Sequence, residues 1–475
     1  MGLSTLPAPS FKTFAEFDAA SGFSEKAGFR LTPLQIRDIE QFLQWEVSLN
    51  GMEVGCGKTV VSTAVSLMRG VGLTVVIMPP ILVTSWVAWL RKVSSNVLEY
   101  RGTPKERSQM NLESARWVVM SHAIFRTDFQ RLSMLMNRRN SELIVDEAQS
   151  IKSCASVLFK KVQAVVTDKP AQLLSGTPVS KPTDAYSYIK LKTPGIYRNI
   201  THFESVHVEE RDFFKQPSKY GNLDLLAKNF AIQTITRTKL EMHGYNLEPL
   251  FPDTTYNLGD RHMALYRELV EKQLLEIGDH KIDATSAPKL RHALQQIIVN
   301  YDYFSGDPSK RSAAYDLIDQ TIEQIDCANH ARSKLIIWTK YKRSSAAVLA
   351  YCNSLGIPTV AAFSGADSQK SASMFMEDPN TRILVAQPQS AGAGLNPQYV
   401  CSEALFLELD TVSMYVRQSF GRICRVGQTV RPRIQVAVAA GTVQVSMFRD
   451  LMRNDDLVTR IEPTKEGLRK LLLGE

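Results

Sequence analysis

The sequence has little of what marks secreted, zinc-binding or membrane proteins. Its six cysteines are scattered, with no C-x-x-C pair and no histidine at metal-ligand spacing, so neither a disulfide framework nor a zinc site is predicted. No apolar run reaches the roughly 18 residues of a membrane span, and the opening MGLSTLPAPS lacks the basic and apolar regions of a signal peptide. These absences predict a soluble, cytoplasmic protein without a membrane partner.

Repeats and low-complexity tracts are also lacking, which favours ordinary globular domains. A length of 475 residues predicts two or three domains with ample core. The net charge of +8 favours a polyanionic partner such as nucleic acid, although the positive charge is thinly spread over the chain.

Short apolar runs separated by helix-length segments recur in both halves of the chain. This pattern predicts an α/β fold with parallel sheets that are covered by helices on both faces. Residues 196–330 have few such runs and are rich in helix formers, so helical insertions and a connection between two lobes are expected there. The runs lie at 74–80, 115–122, 142–148, 171–178, 334–339, 358–365, 382–387, 403–410 and 432–440.

The stretch MEVGCGKT (52–59) predicts a loop that holds a nucleotide triphosphate. Gly55 and Gly57 allow backbone N–H groups to converge on phosphate, and a helix beginning near Lys58 adds the positive end of its dipole. Lys58 would reach the β- and γ-phosphates, and the Thr59 hydroxyl would coordinate Mg²⁺. Met52 stands where the strict motif has glycine, so an ordinary glycine turn before a buried helix is the alternative.

The stretch ELIVDEAQSIKS (142–153) places two adjacent carboxylates at the end of an apolar strand. The carboxyl edge of a parallel sheet is where ligands of such folds bind. Asp146 would hold Mg²⁺, and Glu147 would orient and deprotonate the attacking water. The alternative is a helix N-terminus decorated with acidic residues.

The stretch QSFGRICRVGQ (418–428) places Arg422 and Arg425 three residues apart, so both are expected on one face of a helix. Together with Gln418, these guanidinium groups could engage a γ-phosphate and stabilise charge during its transfer. A solvated basic helix face is the alternative.

Taken together and in order, these motifs resemble those of superfamily two helicase-type ATPases, most closely the Swi/Snf-type double-stranded DNA translocases. The resemblance covers roughly residues 31–450. The matching pieces are LTPLQ (31–35), MEVGCGKT (52–59), VVIMPPILVTSW (75–86), VDEAQSIKS (145–153), LLSGTPVSKPTDAYSYI (173–189), ITRTK (235–239), AGAGLN (391–396) and QSFGRICRVGQ (418–428).

The resemblance implies two RecA-like lobes that use ATP and Mg²⁺. It gives Gln35 the role of reading adenine and assigns nucleotide contacts to Gly394 and Gln418 in the second lobe. Ser175 and Thr177 would couple the nucleotide site to DNA contacts. The implied organisation is an N-terminal extension at 1–30, lobe 1 at 31–240, a helical insertion or linker at 241–330, and lobe 2 with arginine fingers at 331–475.

The resemblance also implies which residues follow the DNA backbone. Such contacts need little base reading, so small residues and amides suffice. For Trp86 and Asn396, plain packing or turn geometry is an equal alternative. The implied residues are Pro79, Pro80 and Trp86 in lobe 1 and Gly392, Gly394 and Asn396 in lobe 2.

Three positions depart from the family pattern. Gln149 stands where histidine is usual, which changes the link toward the coupling motif, and Lys181 replaces an asparagine. DTVS at 410–413 replaces a tryptophan-containing motif and puts that DNA contact of lobe 2 in doubt. The short middle region and the lack of an accessory module favour a compact viral, phage or bacterial member over a chromatin remodeller.

The function predicted from the sequence is a monomeric, DNA-dependent ATPase that translocates on double-stranded DNA, with single-stranded DNA as a further candidate substrate. Two alternatives stay open: a strand-separating helicase, and an ATP-switched DNA-binding module that acts on a protein partner. No strand-splitting hairpin is evident in the sequence, which favours translocation. A small-molecule P-loop kinase is disfavoured, because it leaves the paired arginines and the SGTP motif unexplained.

Overall fold

The computed structural model describes residues 9–211, 215, 217–244, 247–272, 274–277, 280–283, 287–328, 334–362, 367–388, 396–410 and 413–461. Contacts between residues divide the chain into two units. The first is Met1–Tyr245 with Leu457–Lys465, and the second is Asn246–Asp456 with Glu466–Glu475. The region expected to be an insertion or linker, 241–330, therefore groups mainly with the second unit.

The first unit is built on a seven-stranded parallel sheet with the order β3-β4-β2-β5-β6-β1-β9. Every residue of five of these strands is buried, as expected for a sheet covered on both faces. The strands are β1 Val47–Asn50, β2 Leu73–Met78, β3 Val97–Glu99, β4 Trp117–Ser121, β5 Ser141–Asp146, β6 Ala171–Leu174 and β9 Thr234–Ile235.

Helices pack around this sheet and connect its strands. They are α1 Phe14–Ser21, α2 Phe23–Ala27, α3 Pro33–Phe42, α4 Lys58–Arg69, α5 Pro80–Val93, α6 Pro104–Gln109, α7 His122–Thr127, α8 Phe129–Arg138, α9 Val157–Val166, α10 Ala185–Lys192, α11 Ile200–His207, α12 Leu223–Ala231 and α13 Lys239–His243. Thr32 caps α3 in a capping box with Gln35, which fixes where this helix begins.

The predicted N-terminal extension is more closely attached than expected. Phe14, Phe17 and Phe23 are buried, and they belong to the same core cluster as Met52 and Val61 of the nucleotide loop and α4. Because burying an aromatic side chain removes a large apolar area from water, α1 and α2 are integral to the first unit.

The second unit contains a five-stranded parallel sheet with the order β14-β15-β13-β16-β17, and a short parallel pair formed by β10 and β18. The two parallel sheets confirm the predicted α/β class with two RecA-like lobes. The strands are β10 Thr255–Tyr256, β13 Lys334–Trp338, β14 Thr359–Ala362, β15 Ile383–Ala386, β16 Cys401–Phe406, β17 Arg433–Val436 and β18 Val438–Ala439.

Most of the described residues of the predicted middle region are helical. The helices of the second unit are α14 Asp260–Lys272, α15 Ala287–Val299, α16 Tyr301–Ser305, α17 Ala314–Ala328, α18 Lys342–Ser354, α19 Asp367–Glu377, α20 Ser413–Ile423 and α21 Val443–Ile461. No helix within the described ranges is long and apolar enough to cross a membrane.

The structure contains two antiparallel hairpins that were not recognised in the sequence. In the first, β7 (Val208–Arg211) pairs with β8 (Pro217–Tyr220), and in the second, β11 (Leu274–Ile277) pairs with β12 (His280–Asp283). The first pair has irregular register and is largely exposed, so its sequence shows no apolar alternation. That is why the sequence pattern did not reveal it.

Candidate nucleotide-binding and coupling site

The nucleotide loop runs from the end of β1 to the start of α4. Gly55 and Gly57 have φ angles of 94° and 86°, the left-handed region that favours glycine. Lys58 is the first residue of α4, and its ammonium donates to the carbonyl oxygens of Met52 at 2.9 Å and Glu53 at 3.1 Å. The loop therefore presents a lysine and the positive end of a helix dipole together, which suits a phosphate group.

Met52 explains how the loop tolerates the missing glycine. Its side chain is 0% exposed and packs in the core beside α1, α2 and α4, and its φ angle is not positive. The position with little room for a side chain is instead the preceding residue, Gly51, because a Cβ added there would lie 2.9 Å from Cγ2 of Thr236. The departure at position 52 thus leaves the loop conformation available.

The ITRTK segment runs alongside the nucleotide loop. The Gly51 amide donates to the carbonyl of Ile235 at 2.8 Å, and the Glu53 amide donates to that of Arg237 at 2.9 Å. The Arg237 guanidinium is paired with the buried carboxylate of Asp38 on α3, with distances of 2.6 and 3.0 Å. One side of the loop is therefore held by a backbone ladder that a bidentate ion pair ties to α3.

Gln35 holds the other side of the loop. Its Oε1 accepts from the Thr32 amide at 2.9 Å, and its Nε2 donates to the carbonyl of Cys56 at 3.1 Å. A carboxamide can accept twice and donate twice, so one donor and one acceptor position remain within its capacity. Adenine recognition needs such a pair, and the role expected for Gln35 stays a prediction.

Asp146 ends β5 with both carboxylate oxygens oriented by protein N–H groups. The indole Nε1 of Trp86 donates to Oδ2 at 2.7 Å, and the Glu147 amide donates to Oδ1 at 2.9 Å. Burial, followed by the charge of Glu147, raises the pKa of Asp146 to about 6. A buried carboxyl group held in this way is poised to bind a cation.

The residues present fit a magnesium ion bound together with nucleotide. Mg²⁺ prefers oxygen ligands and keeps several waters, so it needs only one or two protein groups in addition to phosphate oxygens. Asp146 offers a carboxylate, and Thr59 offers a hydroxyl in the first turn of α4. Within the described ranges no group of three acidic, histidine or cysteine side chains could hold a metal alone.

Trp86 does not occupy a position suited to its expected DNA contact. Its side chain is only 2% exposed and packs in the core between α5 and the sheet, and its N–H bonds to Asp146. The helical geometry of α5 directs the Trp86 side chain toward the sheet, which explains its burial. The burial of Trp86 favours the packing alternative over the expected DNA contact.

His122 is a site residue that the sequence reasoning missed. It follows β4, and its Nε2 lies 3.1 Å from the carbonyl oxygen of Asp146. Burial lowers the pKa of His122 to about 4, so the ring is neutral at physiological pH. Its position at the carboxyl end of a buried strand is the signal that could have drawn attention to it.

A chain of hydrogen bonds leads from Glu147 to the coupling motif. Gln149 Nε2 donates to Oε2 of Glu147 at 2.6 Å, and the Ser175 hydroxyl donates to Oε1 of Gln149 at 2.7 Å. The Thr177 amide then donates to the Ser175 hydroxyl at 3.1 Å. Because an amide donates and accepts at once, Gln149 makes this link directly where the family pattern has histidine.

The coupling motif also lies against the nucleotide loop. A Cβ added at Gly176 would be 3.1 Å from Cγ2 of Val54 and 3.4 Å from Nζ of Lys58. Lys58, Glu147 and the SGT segment are thus neighbours in space, although they are far apart in sequence.

In the second unit, the two predicted arginines do not share a helix. Arg422 is buried within α20, as is Gln418, but the helix ends at Ile423 and Arg425 lies in the turn that follows. The expectation of one helical face is corrected, because α20 stops before a turn at Gly427, whose φ is 94°. Arg425 donates to the side-chain oxygen of Asn396, so two predicted functional residues meet here.

The other residues predicted to contact DNA are partly described by the structure and partly lie outside it. Pro79 caps α5 and Pro80 begins it, with Pro80 exposed, and Asn396 is exposed. Gly392 and Gly394 lie outside the described residues, as do Thr411 and Val412 of the DTVS segment.

Comparison with known proteins identifies the class. The SNF2-related domain matches residues 40–301, more than half of the chain. The chain therefore belongs to the SNF2-related family and carries a helicase-like ATPase domain.

Individual relatives are distant and longer. The chain is 23% identical over 428 residues to an uncharacterized ATP-dependent helicase of Mycoplasma pneumoniae, covering 86% of the chain and 39% of that protein. It is 21% identical over 470 residues to the SWI/SNF chromatin-remodeling complex subunit snf22 of Schizosaccharomyces pombe, covering 89% of the chain and 27% of that protein. The chain thus spans less than half the length of these relatives.

Among solved structures, the Pyrococcus furiosus Hef helicase domain aligns with a TM-score of 0.50 and 15% identity. The alignment covers 90% of this chain and 98% of that domain. The likeness shows a shared fold.

Proposed function

We propose that the chain is a DNA-dependent ATPase that translocates on double-stranded DNA and thereby moves or remodels partners bound to it. The observation that supports this most is the hydrogen-bonded path from Glu147 through Gln149 to Ser175 and Thr177. An enzyme that only hydrolysed ATP would not need its water-activating carboxylate tied to a second, separate motif.

The chemical step rests on residues of the first unit. Lys58 and the amides of its loop would hold the β- and γ-phosphates. Glu147 would orient the attacking water and accept its proton, with Gln149 fixing one carboxylate oxygen. A magnesium ion held by Thr59 and Asp146 would supply charge neutralisation at the phosphates.

The second unit would contribute positive charge and DNA contacts. Arg422 and Arg425 are proposed to stabilise charge on the γ-phosphate during transfer, as arginine fingers do. Gln418 and Gly394 are proposed as further nucleotide contacts, and Asn396 as a DNA contact. The bond between Arg425 and Asn396 would join these two tasks within one unit.

Strand separation is the second candidate, and the exposed hairpin of β7 and β8 favours it. An exposed hairpin on a lobe can separate the strands of a duplex as a motor advances. A forked duplex with a labelled strand tests this: ATP-dependent release of the strand supports a helicase, and no release with active turnover supports translocation alone.

The test of the main proposal compares ATP turnover with duplex DNA, single-stranded DNA and RNA under one set of conditions. We expect the largest stimulation with duplex DNA. Stimulation by single strands alone would favour the helicase. Equal turnover without any nucleic acid would contradict a DNA-dependent ATPase, and DNA binding that depends on ATP without DNA-stimulated turnover would favour the ATP-switched module.

A further inference from the structure

Helix α5 carries two tryptophans whose indole N–H groups bond to two different regions of the nucleotide site. Trp86 and Trp89 are three residues apart, so they lie on neighbouring positions of the helix surface. Trp86 donates to the carboxylate of Asp146 at 2.7 Å. Trp89 donates to the hydroxyl of Thr63 on α4 at 3.0 Å.

The second bond continues to the residue expected to hold magnesium. The hydroxyl of Thr63, which is completely buried, donates to the carbonyl oxygen of Thr59 at 2.7 Å. Through these bonds α5 is linked to both residues predicted to hold the metal: to the carboxylate of Asp146 directly, and to the backbone carbonyl of Thr59 through Thr63. A shift of α5 would therefore act on both residues together.

The opposite end of α5 is available to DNA. Pro79 caps the helix and the exposed Pro80 is its first residue, and both are proposed DNA contacts. Trp86 is six positions after Pro80 in the chain, which corresponds to about 9 Å along a helix. The helix spans that distance without a break, so displacement at one end is carried to the other.

Ring packing holds Trp89 in place between α5 and the N-terminal segment. Its ring stacks on Phe29 with centroids 6.1 Å apart and planes 22° apart, and it meets the edge of Phe23 at 6.3 Å. Such packing limits the rotation of the indole, so its N–H follows the helix rather than adjusting independently. This makes the bond to Thr63 sensitive to the position of α5.

We propose that α5 couples duplex DNA at its N-terminus to the metal ligands of the nucleotide site, with Trp86 and Trp89 as positioning residues that act through Asp146 and through Thr63 and Thr59. This inference rests on the proposed DNA-dependent function. It differs from the path through Gln149 and Ser175, since it reaches the metal ligands rather than the water-activating Glu147.

The test measures the affinity for a short blunt duplex with and without Mg²⁺ and a non-hydrolysable ATP analogue. Coupling between two sites is reciprocal, so the ratio of the two dissociation constants reports it without any turnover. For the unchanged protein we expect a ratio of about tenfold, a typical coupling. In Trp86→Phe,Trp89→Phe, which keeps an aromatic ring at each position but removes both N–H donors, the ratio should fall to within about twofold of unity.

Tyr100→Phe is the matched control. Tyr100 is fully buried and its hydroxyl donates to the Asp128 carboxylate at 2.8 Å, and neither residue belongs to α5 or to the predicted metal ligands. Its substitution removes a comparable buried bond, and we expect the ratio of the unchanged protein. A reduced ratio in this control would assign the effect to general loosening and overturn the proposal.

Thr63→Val provides an independent route if the double variant does not fold, because valine has nearly the same shape but cannot bridge Trp89 to Thr59. It should lower the ratio by a smaller amount than the loss of both N–H donors. A wild-type ratio in a folded Trp86→Phe,Trp89→Phe or Thr63→Val protein overturns the proposal, as does a ratio of unity in the unchanged protein when DNA stimulates its turnover. If DNA neither stimulates turnover nor binds, the proposed function itself fails.

Discussion

In each unit, a strand of the large parallel sheet leads through a turn into a helix. The two turns differ in the groups that occupy them. In the first unit, β1 leads through glycines to α4, and Lys58 stands at the start of the helix. In the second unit, β13 leads to α18, and the turn between them is closed by a carboxylate of the protein itself.

That carboxylate belongs to Glu408, which follows β16. It accepts from the amides of Lys340 at 2.7 Å and Tyr341 at 3.1 Å, and from the Ser344 hydroxyl at 2.5 Å. Amides before a helix are the groups proposed to bind phosphate in the first unit. In the second unit Glu408 satisfies them internally.

This difference explains why only the turn between β1 and α4 is expected to bind nucleotide phosphates, although both units have a parallel sheet with a turn at the corresponding place. A turn with glycines and a lysine can offer its amides to a ligand, whereas the amides of Lys340 and Tyr341 already donate to Glu408. The second unit is then expected to contribute arginines and DNA contacts rather than a phosphate-binding loop.

The largest effect should come from the first unit. Glu147→Gln should lower kcat by about 10³-fold or more while leaving ATP binding intact, because a general base contributes roughly 10² to 10⁴. Lys58→Ala should instead weaken nucleotide binding itself. Filter-binding and turnover assays on both variants check this, and a Glu147→Gln protein with normal turnover would refute the role given to Glu147.

Substitution of an arginine in the second unit should lower the rate of ATP turnover without changing the affinity for nucleotide. Arg425→Ala should lower kcat on the order of 10³-fold with nearly unchanged ADP affinity, as expected for an arginine finger. Duplex affinity without nucleotide should survive. Because Arg425 also contacts Asn396, Asn396→Ala serves as the comparison, and an equal loss of kcat in both variants would mean that Arg425 acts mainly by holding Asn396.

A smaller effect is expected at the link inside the first unit. Gln149→Ala removes both the bond to Glu147 and the bond from Ser175, so DNA-stimulated turnover should fall by about tenfold, in line with losing a hydrogen bond to a charged group. Gln149→His, the residue usual in the family, should restore some of the stimulation. Unchanged stimulation in Gln149→Ala would remove the main support for coupling through this path.

The smallest expected effect is a pH dependence of the free energy of unfolding. Burial raises the pKa of Glu408 from 4.5 to about 7, although its donors and Lys340 act in the opposite direction. Since the folded protein then holds a proton that the unfolded chain releases, the stabilisation is full below about pH 4.5 and is lost as the pH rises through about 7. Glu408→Gln keeps a neutral side chain, so the variant should lack this loss.

Thermal unfolding of the two proteins between pH 5 and pH 8 measures that difference. We expect it to reach on the order of 1 to 3 kcal/mol in the free energy of unfolding. Parallel curves would show that Glu408 does not change its protonation on unfolding in this range.

The sequence predicted the architecture well because its central strands are continuous apolar runs. It missed β1 and β3, since Ser48 and Asn50 make β1 look polar and β3 has only three residues. It missed the hairpin of β7 and β8 because largely exposed strands carry no burial pattern. Local patterns report burial, and these elements are either short or solvent-facing.

For the site, the motifs identified segments that lie together in the first unit, but not the side-chain contacts between them. The spacing of Lys58, Asp146 and Ser175 gave no means of seeing that Gln149 joins Glu147 to Ser175, or that Trp86 turns inward to Asp146. Helix ends were also uncertain, which placed Arg425 on α20 instead of in the turn after it. Side-chain direction depends on packing between distant segments, and sequence spacing alone does not contain it.

The most direct test of translocation is displacement of a triplex-forming strand from a duplex. A motor that moves along the duplex should strip the third strand in the presence of ATP and Mg²⁺, without separating the duplex strands, and Glu147→Gln and Arg425→Ala should both fail to do so. Duplex-stimulated ATP turnover with no displacement by the unchanged protein, or equal displacement by Glu147→Gln, would contradict the proposed motor.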